Sequence, residues 1–264
     1  MKTTSPVACR QPVNQLELTR FFTGVGARLR QRHVELAPSH SEVKRFFSRI
    51  RHTVGPQQRL LDRKQATRFN VFDFIEPDEN RLSDVLAWLL DPQESHGQGD
   101  LFLRLIFRQL RLSYNAKLTG DAKVRREVPT HGIEKYRRRM DVLVEAGAWL
   151  VIENKVDSSE QMEQVKDYLE HLHRCAGSRK IQSALIYLTP TGRSPDSLSS
   201  AMLDESEQSG KLHCWNYHDE LRRWLEDCRR DCEAQKIRIF LTDFLRYIKS
   251  NLQREEQESE NGEN

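Results

Sequence analysis

Apolar positions recur at helical spacing through the first part of the chain and then change to a two-residue rhythm. After Asp78, the residues Leu82, Val85, Leu86, Leu89 and Leu90 fall at i, i+3, i+4, i+7 and i+8, the inner stripe of an amphipathic helix. Asp78 occupies the N-cap position, and Asp91-Pro92 ends the pattern. The polar turn His96-Gly97-Gln98-Gly99 leads into a second helix over 100–112, with Phe102, Leu105, Ile106 and Gln109 inward. Upstream, 12–33 reads as a helix, and Pro38 with Ser39 or Ser41 starts another through His52, on the stripe Val43, Phe46, Phe47, Ile50. Gly55-Pro56 breaks that helix, and a third is expected to run to about Phe74.

From Lys123 onward the alternation predicts strands over 123–130, 139–145 and 149–156, the last two joined by the tight turn Ala146-Gly147-Ala148. Ser158 or Ser159 is expected to cap a helix to about Cys175, with Met162, Val165, Leu169 and Leu172 as its apolar stripe. The nearly continuous apolar run 183–189 predicts a strand buried on both faces. A fifth strand over 211–217 and helices over 218–231 and 234–252 complete the set. Strands interleaved with helices predict an α/β fold: a mixed central β-sheet flanked by helices, preceded by an N-terminal helical extension. No internal repeat is present.

Charge divides the chain. Its formal net value is +3, yet residues 1–68 carry 14 Lys and Arg against 4 Asp and Glu, and the rest is net acidic. The expected organisation is therefore a basic helical extension over 1–68, an α/β domain over 69–252 and an acidic, disordered tail over 253–264. A basic arm with the stripe Arg28, Arg30, Arg32 suits a polyanionic partner, though a solvated helical surface has the same composition. No run approaches the ~18 apolar residues of a membrane span, and the N-terminus has no signal-peptide core, so the expectation is a soluble cytoplasmic protein without membrane contact. Five cysteines without a CxxC pair imply neither a disulfide framework nor a zinc ribbon; Cys228 and Cys232, one turn apart, read as small helix residues.

The candidate chemistry sits on the predicted hairpin. Side chains two apart share a strand face, so Glu153 and Lys155 point one way and Leu150 and Ile152 the other. On the partner strand Asp141 and Leu143 share a face, and Met140, Val142 and Val144 take the opposite one. The turn brings Asp141 opposite the Glu153 region, which gathers two carboxylates and a lysine. Such a group suits phosphodiester hydrolysis: hard Mg²⁺ takes oxygen ligands from Asp141, Glu153 and the backbone carbonyl of Asn154, and Lys155 orients water or offsets charge. A solvated face of cross-strand ion pairs satisfies the same spacing. The apolar run Leu150-Val151-Ile152 before Glu153 argues for the site, because charge in that setting needs a reason. Glu79, near the stripe of its helix, is placed either to reach a metal through water or merely to favour the helix dipole. Gln161, Gln164 and Tyr168 form a polar edge on the helix after Lys155, suited to touching substrate.

These residues resemble the PD-(D/E)XK nuclease superfamily: Asp141, eleven residues, then Glu153-Asn154-Lys155 between apolar strand residues, with Gln164-Val165-Lys166-Asp167-Tyr168 similar to the QxxxY element of its recombination-exonuclease branch. The segment from Glu79 to Pro92, with His96-Gly97 after it, is similar to one bacterial branch of the superfamily. The resemblance covers roughly 69–250. It implies a restriction-endonuclease-like core in which Glu79, Asp141, Glu153 and Lys155 act in metal binding and hydrolysis, with Mg²⁺ as cofactor and Mn²⁺ as substitute. Gln164 and Tyr168 are then substrate-positioning residues. Met140 stands where the signature has proline. The run 133–139 places Lys135, Arg137, Arg138 and Arg139 before Asp141, either a phosphate grip or a charged hairpin tip.

The resemblance thus implies a DNA nuclease, endo- or exo-, with RNA still open as a substrate. Genome defence, antiviral defence, restriction or repair are the implied settings, with a partner ATPase or helicase, or a second copy in a homo-oligomer. A silent nucleic-acid-binding or scaffolding subunit of the same fold is the alternative, disfavoured by the intact trio. A histidine metallohydrolase is weaker still. His171 and His173 diverge by about 200° on a helix, and His96, His131, His213 and His218 lack ligand spacing.

Overall fold

The computed structural model describes residues 69–113, 121–130, 138–156 and 160–252, with a few isolated positions nearer the N-terminus. Apart from those positions, the expected helices of the basic extension lie outside the described residues, as do Arg137 and the acidic tail. The chain divides into two compact units, Met1–Phe69 and Asn70–Asn264. Everything below concerns the second.

Its elements run α1 (Phe72–Ile75), α2 (Glu79–Leu90), α3 (Leu101–Gln109), β1 (Lys123–Pro129), β2 (Arg139–Glu145), β3 (Trp149–Asn154), α4 (Gln164–Gly177), β4 (Ser183–Thr189), α5 (Ser200–Gln208), β5 (Leu212–Asn216), a π-turn (Tyr217–Leu221), α6 (Arg222–Asp231) and α7 (Gln235–Asn251). The five strands form one mixed sheet in the order β1-β2-β3-β4-β5. β1, β2 and β3 are antiparallel neighbours, while β4 and β5 continue from β3 in parallel. Parallel neighbours need a crossover, and α4 and α5 supply the two. The ends of β3, β4 and β5 therefore open on one edge of the sheet, where ligand crevices of open α/β sheets form.

Each sheet face buries its own core. On one face Val142, Val144, Leu150, Ile152, Ile186 and Leu188 pack with Leu82, Leu86, Leu89, Phe102, Ile106, Trp224 and Phe244 from the helices. On the other, Leu143, Val151, Leu185 and Tyr187 meet Val165, Tyr168 and Leu172 of α4. Two covered faces explain why every residue of β3 is buried. The Asp78 cap is present, its side chain accepting the Arg81 N–H at 2.8 Å.

Four expectations are corrected. The helix expected to continue to Phe74 is interrupted: the Phe72 N–H donates to Asn70 Oδ1 at 3.0 Å to open the separate α1. Met162, expected in the apolar stripe of α4, is 81% exposed, because Glu163 adopts φ 61° and the helix starts only at Gln164. Met140 packs with Leu143 rather than with Val142 and Val144. The pairing passes from Arg126↔Val142 to Val128↔Met140 around Glu127, whose φ of 50° breaks strand geometry and shifts the faces locally. Finally, α5 was not expected; it has no buried residue and so leaves no apolar stripe to read.

Candidate active site

The first turn of α2 lies across the end of β3, and a set of buried polar groups fixes it there. Asn154, fully buried, donates through Nδ2 to the Glu79 carbonyl at 3.1 Å and to Ser83 Oγ at 3.2 Å. Its Oδ1 accepts from the buried Tyr217 hydroxyl at 2.6 Å, and Ser83 Oγ donates to the Glu79 carbonyl at 2.9 Å. Each polar atom of this cluster is answered, as burial at low dielectric requires. From the other side Arg126 donates to Asp84 Oδ1 at 2.9 Å, to the Asn80 carbonyl at 3.1 Å and to the Asp141 carbonyl. The irregular strand position that carries Asp141 is thereby tied to the same helix.

Strand alternation sends Asn154 toward α2 and its neighbours Glu153 and Lys155 toward α4. The Lys155 ammonium lies 3.1 Å from Glu153 Oε1 and 3.8 Å from Glu79 Oε1. Glu79 Oε2 accepts the Val156 N–H at 2.9 Å, and Asp141 Oδ2 accepts the Asn154 N–H at 2.8 Å. From α4, Gln164 Nε2 donates to Glu153 Oε1 at 2.6 Å and to the Tyr168 hydroxyl at 2.9 Å; that hydroxyl donates to the Arg139 carbonyl at 2.5 Å. The structure thus brings Glu79, Asp141, Glu153, Lys155, Gln164 and Tyr168 together at one pocket.

Electrostatics sets these groups apart from a solvated ion-pair face. Burial, then the nearby Asp141 charge, pushes Glu153 up to about 8, against the lowering effect of Lys155. Burial likewise raises Asp141, opposed by the Asn154 N–H, Lys155 and Arg126. Burial alone would lower Lys155, but Glu153, Glu79 and Asp141 together carry it above its ordinary value. Two carboxylates forced up beside a lysine held charged make a pocket short of positive charge.

Glu153 Oε2 is buried and has no hydrogen-bond partner. A buried unsatisfied oxygen costs roughly 1–3 kcal/mol, and a hard cation there removes the penalty. Among the described residues no three of His, Cys, Asp and Glu converge as a closed metal cage.

The remaining predicted residues have different placements. Arg138 is 7% exposed and does not face the pocket as a phosphate grip. Its guanidinium donates to Asp167 Oδ2 at 3.0 Å, to Gln161 Oε1 at 2.6 Å and to the Met162 carbonyl. Gln161, in turn, lies ahead of α4 and is engaged by this clamp, with its N–H on Gln164 Oε1 at 3.1 Å. Arg139 is exposed and pairs with Glu127 at 3.0 Å. Replacing Arg138 by Ala strands Asp167 and the Met162 carbonyl, so thermal or denaturant unfolding is expected to show a loss of about 3–5 kcal/mol. The structural partners Asn154, Ser83, Tyr217, Arg126 and Asp167 escaped sequence reasoning, because each acts across a long sequence separation; only the Asn154 position, between Glu153 and Lys155, carried a signal.

Neither a search of curated proteins nor one of solved structures returned a match. A family model, described as the PD-(D/E)XK nuclease superfamily, matches residues 69–246, which span α1 to most of α7 and include every residue of the pocket. The chain belongs to the PD-(D/E)XK nuclease superfamily.

Proposed function

We propose that this protein is a Mg²⁺-dependent deoxyribonuclease whose hydrolytic centre is Asp141, Glu153 and Lys155, supported by Glu79, Gln164 and Tyr168. The superfamily consists generally of phosphodiesterase nucleases that typically use divalent metal ions. The observation that carries the reading is the buried Glu153 Oε2 beside Asp141, a carboxylate oxygen without a hydrogen-bond partner that a silent scaffold has no reason to keep.

Asp141, Glu153 and the Asn154 carbonyl would hold the ion, with Glu79 reaching it through water. Bound there, Mg²⁺ would supply charge against the scissile phosphate and lower the pKa of an attacking water. The chain's own groups do the rest. Lys155, held charged by three carboxylates, sits where it can orient the attacking water and offset charge developing on phosphate oxygens. Gln164 fixes Glu153 through Oε1, which leaves Oε2 as the oxygen for the ion. Tyr168 holds Gln164 and the β2 backbone in one frame, so carboxylate geometry is set before substrate arrives.

DNA is proposed as substrate and RNA is the comparison, with genome defence or repair as the setting. Purified protein incubated with Mg²⁺ or Mn²⁺ and linear, circular and single-stranded DNA and RNA is expected to cleave DNA and to stop on chelation. Cleavage of RNA alone would reassign the substrate, and cleavage of none would favour the scaffolding reading.

A further inference from the structure

The loop that follows β4 ends beside this pocket and carries a cation that hydrolysis as described does not use. Tyr187 of β4 is paired with Glu153 of β3, so the two side chains sit on the same face of neighbouring strands, about 4.8 Å apart in the sheet. The guanidinium of Arg193 lies over the Tyr187 ring, 5.8 Å from its centre. Arg193 is held in this place by its backbone. Thr189 Oγ1 accepts the N–H groups of Gly192 and Arg193 at 2.8 and 3.1 Å, and Gly192 turns the chain at φ 75°. A Cβ at Gly192 would meet Asn216 Cβ at 3.2 Å, so the turn is built to fit against β5.

The same loop is fastened to the catalytic helix. Glu160 Oε2 accepts the N–H groups of Asp196 and Ser197 at 2.5 and 3.3 Å, while its Oε1 accepts the Val165 N–H at 3.3 Å. Val165 is next to Gln164, whose side chain touches Glu153. The loop is thereby tied to the start of α4, beside Gln164. Beneath Arg193 the buried hydroxyl of Tyr187 has no hydrogen-bond partner. Among the described residues the ion pair of Arg193 is with exposed Asp196, at 3.2 Å. A half-buried guanidinium on an aromatic platform whose hydroxyl lacks a partner is complementary to a phosphate oxygen.

We infer that Arg193 is a substrate-positioning residue that holds a backbone phosphate flanking the scissile one. It lies one strand beyond Glu153 along the edge where the parallel strands end. The contact fixes the register of the strand against Asp141, Glu153 and Lys155 and takes no part in the chemistry. This inference rests on the nuclease reading above.

The test compares wild type, Arg193→Ala, Arg193→Lys and the reference Arg230→Ala, an exposed arginine on α6, in steady-state cleavage over a range of salt. Arg193→Ala is expected to raise KM about tenfold with kcat changed less than about threefold. The slope of log(kcat/KM) against log salt should become shallower by about one, the signature of one lost phosphate contact. Arg193→Lys should keep most of the slope, and Arg230→Ala should leave both unchanged. An unchanged KM and slope in Arg193→Ala, a loss confined to kcat, or an equal loss in Arg230→Ala overturns the inference while leaving the nuclease reading standing. A wild type that cleaves nothing overturns that reading and this one with it.

Discussion

Glu153→Gln is expected to abolish metal-dependent cleavage and, without metal, to make the protein more stable at neutral pH. The loss follows from the unpartnered Oε2: glutamine keeps the size and the Oε1 acceptor for Gln164 and Lys155 but places an amide where an anionic oxygen should meet the ion. A fall of about 10³-fold or more in single-turnover rate is expected, the scale seen when preorganised charge is removed from a hydrolytic centre. The stability gain follows from linkage. Glu153 has its folded-state pKa raised from 4.5 to about 8, so between these values the folded protein binds more protons than the unfolded chain. Metal-free stability therefore falls as pH rises through that window, with a slope approaching about 1.4 kcal/mol per pH unit. Above about 8 the loss is complete. Glutamine cannot ionise, so this slope disappears, leaving a weaker one from Asp141, whose pKa is raised in the same sense. Lys155 loses a partner in the variant, which limits the net gain at pH 7 to about 1–3 kcal/mol. Denaturant unfolding of both proteins from pH 5 to 9 in chelator checks this; parallel curves would show that Glu153 is not forced neutral by its surroundings.

Lys155→Ala is the second large effect. The ammonium is the only positive charge in contact with Glu153 among the described ion pairs, and the alanine variant leaves Glu79, Asp141 and Glu153 facing one another. Cleavage is expected to fall by about 10³-fold or more with substrate binding nearly intact, because the lysine acts on charge that develops during reaction. The fold should survive, since Glu153 can take up a proton instead of remaining a buried anion. Lys155→Arg should not rescue activity: a planar guanidinium does not fit where a compact ammonium meets Oε1 at 3.1 Å. A kcat within about threefold of wild type in either variant would remove Lys155 from the chemistry.

Much of this was legible in the sequence, for a physical reason. The strands of the hairpin and the stripe of α2 repeat with fixed periods, and burial follows the period. Glu153 and Lys155 could be placed on one side because alternation is local, whereas it breaks next to Asp141. What resisted reading was set by partners far away in the chain. Arg138 looks like one more charge in a basic run, yet Asp167, 29 residues later, draws it inside. Asn154 looks like a spacer between two site residues until Glu79 and Tyr217, 75 and 63 residues distant, use its side chain to seat α2. Met162 sits beside Glu163, and Met140 pairs with Val128, next to Glu127; the positive φ of those two glutamates interrupts the periodicity that the prediction relied on.

The most direct measurement is Mg²⁺-dependent cleavage of DNA by wild type beside Asp141→Ala, with circular dichroism verifying that both are folded. The account predicts chelator-sensitive cleavage by wild type and a loss of about 10³-fold or more in the variant. Cleavage by Asp141→Ala at the wild-type rate would contradict it.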